Sequence, residues 1–228
     1  MGSDTTADIT TTGAVSVTAG TSIGATGAGA LDIASSTNLT LDSNDDVAVR
    51  GSAQTLTDLT LTVDGGTDGA VYELTNLANI TETITTDNTD LTVTALDATG
   101  DANLSLTNDT GNVTVTSFDT TLAGTLSVTA SSGNIILADG ALVTGSGGVS
   151  LNASGTIDES TNATTTNITT TGGLTLTSGG AIADNIDVTG HLDIDVGTVN
   201  VTATGGTDVS LRDAGTSNTT YTVATGGA

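Results

Sequence analysis

The side chains best suited to chemistry recur at one interval. Asp46, Asp68, Asp90, Asn112 and Asn134 follow one another at steps of 22 residues, and Thr156 closes the series. Each stands directly before a run in which apolar and polar residues alternate: VAVRGSAQ, GAVYELTN, LTVTALDA, VTVTSFDT and IILADGAL. An Asp or Asn at such a place can accept hydrogen bonds from the backbone of its own turn and from the equivalent residue one repeat away, giving an Asx ladder. The same column offers a second chemistry. Calcium takes several oxygen ligands from carboxylates and carbonyls, and Asp42, Asp46, Asp64, Asp68 and Asp90 would supply them if the repeat stacks. The chain lacks the nonapeptide array of calcium β-rolls, and GGTDVSL (205–211) is an isolated partial match. The ladder is the simpler expectation; Ca²⁺ is the one cofactor the column suits, and no cofactor is required for folding.

A second array is made of hydroxyls. Thr81/Thr83/Thr85, Asn103/Ser105/Thr107 and Thr125/Ser127/Thr129 repeat rank on rank. Flat Thr-x-Thr arrays are what ice-binding β-solenoids present, and a glycan is the other ligand class for such a face. Strand propensity alone also places Thr on exposed β faces. The irregular corners and Glu82, which falls inside the first rank, argue against flatness. Catalysis is not expected. Polysaccharide cleavage needs clustered carboxylates with a base or cation, and sugar rings need aromatic platforms. The chain has one His, His191, expected on an exposed corner. Its only cations are Arg50 and Arg212, far apart in the stack, and it has one Phe, two Tyr and no Trp.

The elements that must position these residues are short strands. Cutting the chain every 22 residues from Val47 brings Val49, Val71, Val93, Val115 and Leu137 into one column. Alternation then turns Val113 and Val115 inward and Thr114 and Thr116 outward. Leu104/Leu106 and Leu126/Val128 form the second strand of their turns, Leu59/Leu61 and Val149/Leu151 sit one position out of step, and the second strand of the 69–90 turn is nearly lost. A fixed period of this length with period-2 alternation predicts an all-β chain, a right-handed parallel β-helix (β-solenoid) of about 22 residues per turn. Met1-Gly2-Ser3 reads as an appended scar. Residues 4–228 read as one domain, with irregular turns over 4–46, regular 22-residue turns over 47–156 and longer turns over 157–228, where DESTNATTTNITTT is expected as a polar bulge. No cap is evident at either end, as expected of a segment from a longer repeat protein whose turns are stable only between neighbours.

Charge narrows the partners. The formal net charge is −24 with no Lys, so the surface repels nucleic acid and anionic membranes. No apolar run is long enough to insert in a membrane, and the N-terminus lacks the basic and apolar regions of a signal peptide. No cysteine means no disulfide or thiol chemistry.

The segments GNVTVTSFDTTLAGTLSVTASSGNIILADGALVTGSGGVSLNASGTI and GGLTLTSGGAIADNIDVTGHLDIDVGTVNVTATGG resemble filamentous-haemagglutinin-type repeats, over roughly residues 91 to 211. That family comprises large bacterial secreted adhesins exported by two-partner or autotransporter routes. The resemblance implies an extracellular or cell-surface stalk, partnered by the rest of a longer adhesin chain and, through it, by other cells or surfaces. It carries over no catalytic or binding residue. The expected function is a non-catalytic spacer; the alternatives are a fibre subunit that pairs with identical copies, and a binding module using the hydroxyl array.

Overall fold

In the computed structural model the chain is a β-solenoid of parallel strands. The structure describes residues 7–25, 29–34, 38–52, 58–63, 70–78, 81–86, 90–99, 103–120, 125–144, 146–161, 165–183, 190–205, 208–215 and 219–226. Among them, no helix is long and apolar enough to cross a membrane.

Three faces close each turn. Face one holds the tallest stack. Its strands are Val15–Ala19, Asn38–Ser43, Asp58–Val63, Thr81–Thr86, Asn103–Asn108, Leu126–Ala130 and Val149–Ala153, then the C-terminal parts of Ile168–Ser178 and Leu192–Ala203, and finally Thr220–Thr225. Every neighbouring pair is parallel. Face two stacks Leu91, Val113, Ile135, Ile157, Ile182 and Val209. Face three stacks Leu31, Val49, Leu74, Leu96, Phe118, Leu142, Ile168 and Ile194.

The alternation explains the core. On face one Leu106, Val128, Leu151, Leu176 and Val201 share one register and are all at most 2 % exposed. Val113, Ile135, Ile157 and Ile182 line face two, and Leu142, Ile168 and Ile194 line face three, all fully buried. Burying each such side chain contributes about 1.5–3 kcal/mol. Ordering the backbone offsets most of it, so a rung persists because it is covered above and below.

The corner between faces one and two is held by contacts too close for side chains. Gly155 donates to the Gly133 carbonyl at 2.9 Å, and Gly180 to the Gly155 carbonyl at 2.8 Å. A Cβ on Gly133 would lie 2.0 Å from the Gly111 carbonyl oxygen. Small polar groups close the same corner from inside. The fully buried Ser178 hydroxyl donates to the carbonyl of Gly155 and accepts the N–H of Gly180 at 3.1 Å. Asn108, also fully buried, donates to the carbonyls of Thr110 and Asn112.

The 22-residue register holds from Leu91 through Val113 and Ile135 to Ile157. It fails earlier. Val47 pairs with Tyr72 and Val49 with Leu74, so Val49 and Val71 do not share a column. Register shifts between Tyr72/Glu73 and Leu74/Leu77 then bring Glu73 and Leu74 into the later frame and carry Leu77 and Ala78 out of it again. The second strand of the 69–90 turn is not lost: Thr81–Thr86 is a full strand paired on both sides. Leu126 meets Val149 directly, so the connection absorbs the extra residue and the inward phase survives. The stretch expected as a polar bulge is partly strand: Ile157–Glu159 closes face two and Ile168–Ser178 begins face three.

Adjacent residues test the assigned faces. Leu174 is fully buried and Thr175 is exposed. Leu174→Asp is expected to unfold at least the flanking rungs, a loss above about 4 kcal/mol, whereas Thr175→Asp should stay within about 0.5 kcal/mol. Urea denaturation followed by circular dichroism measures both, and the native spectrum should be that of strand.

Candidate functional site

Three groupings of polar side chains stand out, and the sequence pointed to two. The first is the column before face two, where an Asx ladder is present. The Asn112 side-chain oxygen accepts the backbone N–H of Asn134 at 2.9 Å, and the Asn134 oxygen accepts the N–H of Thr156 at 2.8 Å. Each bond satisfies a corner N–H of the next rung, which would otherwise lack a partner at the core's edge. Asp90 pairs through its backbone with Asn112. The rest of the expected calcium set does not share this register. Asp42 lies on face one between Thr18 and Thr62, and the position in register with Asp46 is Val71 rather than Asp68. Asp64, Asp68 and the side chain of Asp90 lie outside the described residues. Among the described residues no three His, Asp or Glu side chains converge as metal ligands.

The second grouping is the set of alternate residues on face one, turned outward wherever their side chains are described. Thr83, Ser105, Ser127, Ser150 and Thr175 pair in sequence along one file, and Thr85, Thr107, Thr129, Asn152 and Thr177 along the next. The files continue through Asn200/Thr202 and Thr222/Ala224 in one direction, and through Thr60/Thr62, Thr40/Asp42 and Ser16/Thr18 in the other. Thr81 pairs with Asn103, and Thr125 directly precedes the strand Leu126–Ala130. The expected irregularity does not reach this face: no register shift interrupts its strand pairs, and the shift between Thr170 and Gly173 falls before it begins. Glu82 pairs with Leu104, out of phase with the hydroxyl files. Ranks lie about 4.8 Å apart and files about 6.6 Å apart. Asp42 is the one ionisable residue in either file.

The third grouping was missed. At the corner between faces two and three, Glu159 occupies the register position of Leu137 and is 4 % exposed. Neither of its carboxylate oxygens receives a hydrogen bond. Asp193 is fully buried beside it and accepts two bonds from Arg212, one from Nε at 2.5 Å and one from Nη2. Asn167 ties this pair to the backbone: its side-chain oxygen accepts the Asp193 N–H at 2.9 Å, and its own N–H donates to the Asp193 carbonyl at 2.8 Å. His191 was expected on an exposed corner; it is half-buried, with Nδ1 2.5 Å from the Ser210 hydroxyl.

The charges shape one another. Burial pushes the Glu159 carboxyl up from the ordinary 4.5 to about 7, with Asp193, Asp139 and Asp158 adding in the same direction and the His191 backbone N–H opposing. The bond to Asp193 raises the Arg212 guanidinium further. The sequence did carry a signal, since Ile157 and Glu159 fall in the inward phase of Ile135 and Leu137. Asp193 and Arg212 arrive from later turns through connections of unequal length, so no spacing rule joins them to Glu159.

No protein family, curated protein or solved structure matches this chain. Its function must therefore be argued from its own geometry.

The ladder can be tested directly. Asn134→Ala leaves the Thr156 N–H unpaired and should cost about 1–3 kcal/mol in chemical denaturation. Asn134→Asp keeps the acceptor and should cost less.

Proposed function

We propose that this chain is a rigid, non-catalytic spacer segment of a large extracellular bacterial adhesin. The observation that supports it best is the unbroken register of face one, from Val15–Ala19 to Thr220–Thr225. At about 4.8 Å per rung this stack is about 45 Å long. Bending it means stretching parallel hydrogen bonds on one side while compressing the core on the other. The net charge of −24 keeps such rods apart in solution. The resemblance of residues 91–211 to filamentous-haemagglutinin-type repeats points the same way.

Two observations favour other readings. Tyr221 and Val223 stack under Val199 and Val201 at the last described rung, yet are 43 % and 51 % exposed, as a subunit that pairs end to end with identical copies would require. The hydroxyl files, in which Asp42 is the one ionisable residue, suit a module that binds ice or a glycan.

Two measurements separate these readings. Small-angle scattering from a spacer gives a rod of fixed length across protein concentrations. Mass growing with concentration, and abolished by Val223→Asp, supports the fibre subunit instead. Ice shaping, or retention on crystalline polysaccharide that Thr177→Lys removes, would promote the binding module. A spacer does neither. Placed between a surface anchor and a binding head, it should also outreach a Gly-Ser linker of equal residue number, because that linker is a compact coil.

A further inference from the structure

The corner between faces two and three contains a carboxyl group that the spacer reading does not use. Glu159 continues an apolar file: Val115 and Leu137, in register before it, are fully buried. It is itself 4 % exposed, and neither oxygen receives a hydrogen bond; the His191 backbone N–H lies close enough to offset only part of the cost of burial. A carboxylate cannot remain ionised there without a large desolvation cost. The nearest cation offers it only attraction at a distance, because Nε and Nη2 of Arg212 are bonded to Asp193 and no hydrogen bond joins Arg212 to Glu159. The other charged groups facing it make matters worse. Asp139 comes from the corner after Ile135–Leu137, Asp158 from its own strand and Asp193 from the strand Leu192–Ala203.

We propose that Glu159 is a proton-operated lock on the later rungs of the solenoid: as a neutral acid it stays inside and the corner closes over it, and as a carboxylate it is driven toward water and the corner loosens. The direction follows from linkage. The folded chain holds this proton more tightly than the unfolded chain does. The stability contributed by the neutral acid is therefore complete below the ordinary carboxyl range, falls as pH rises from there, and is gone above about 7. Carboxyl groups of ordinary affinity ionise in the lower part of that window, so general self-repulsion changes little between pH about 5.5 and about 8.5.

The loosening should be local. The amides that close this corner are those of Ala183, which donates to Ile157, Leu192, which donates to Ser210, and Asp193, which donates to Asn167. The amides of Ser131 and Ser154, which bridge face-one rungs to their neighbours, serve as the reference.

Hydrogen exchange of the intact chain at pH about 5.5 and about 8.5, corrected for intrinsic rates, tests this. Protection of the corner amides relative to the reference should fall at least about tenfold at the higher pH. Glu159→Gln and Glu159→Leu, the latter restoring the residue type of Leu137, should each abolish the fall. His191→Gln should leave it intact. The proposal is overturned if the wild-type ratio is flat, if both Glu159 variants retain the fall, or if His191→Gln removes it. A rise in corner protection at pH about 8.5 that is specific to CaCl₂ over NaCl at matched ionic strength, and lost in Glu159→Gln, would also overturn it. The corner would then be a cation site rather than a proton lock. If Glu159→Gln does not fold, Glu159→Leu and the wild-type ratio still decide.

Discussion

The structure depends on parallel hydrogen bonding kept in register from rung to rung. Side chains follow from it. Once Leu126 stands on Leu104 and Val149 on Leu126, the period-2 alternation decides which residues enter the core and which face water. A slip of one residue on any rung would place Thr or Ser in the apolar file, so register and core specify each other. Hydrophobic burial supplies the stabilisation, but the ladder turns a chain with almost no aromatic residues into an ordered prism. Each rung contributes only a few aliphatic side chains, and none would outlast its neighbours' removal.

The corners carry the exceptions. Where faces one and two meet, Asn112 and Asn134 lend oxygens to the next rung and the glycines let backbones touch. Where faces two and three meet, Asp193, Arg212 and Asn167 are joined in a polar network, and Glu159 stands beside it without a hydrogen bond to either carboxylate oxygen. One corner satisfies its polar groups by repetition. The other does so by a local arrangement seen once among the described residues, and it leaves one carboxyl without a hydrogen bond.

The difference explains what was legible in the sequence. Between Leu91 and Ile157 face two returns after the same number of residues in every turn, even where the corner after Leu137 lengthens, so counting residues follows that face, and the inward phase of Val113, Val115, Ile135 and Leu137 is readable directly. The Asn column was readable for the same reason. Between Val47 and Leu91 counting fails, because Val47 stands on Tyr72 and Tyr72 on Val93, two unequal steps that a fixed 22-residue cut cannot represent. This is why Asp46 and Asp68 looked like stacked ligands. The hydroxyl files were legible as a pattern, but their continuity was not, since irregular connections could equally have tilted the strands. Glu159 was legible as an inward residue; its partners were not, because they depend on how far the intervening connections bulge.

Those connections are unequal in a particular way. From Val115 to Phe118 the chain turns between faces two and three almost at once; from Leu137 to Leu142 it takes longer, and from Glu159 to Ile168 longer still, while Leu142 and Ile168 remain paired. The glycine corner shows no such growth: Leu106 to Val113, Val128 to Ile135, Leu151 to Ile157 and Leu176 to Ile182 are of nearly constant length. New chain has thus been admitted along one edge of the prism and refused along another. A peptide epitope or small domain inserted between Glu159 and Ile168 would extend a connection that is already long. The same insertion beside Gly155 would have to part backbones that are in direct contact. The molecule has a grafting edge and a sealed edge, and the hydroxyl face begins at the far side of the sealed one.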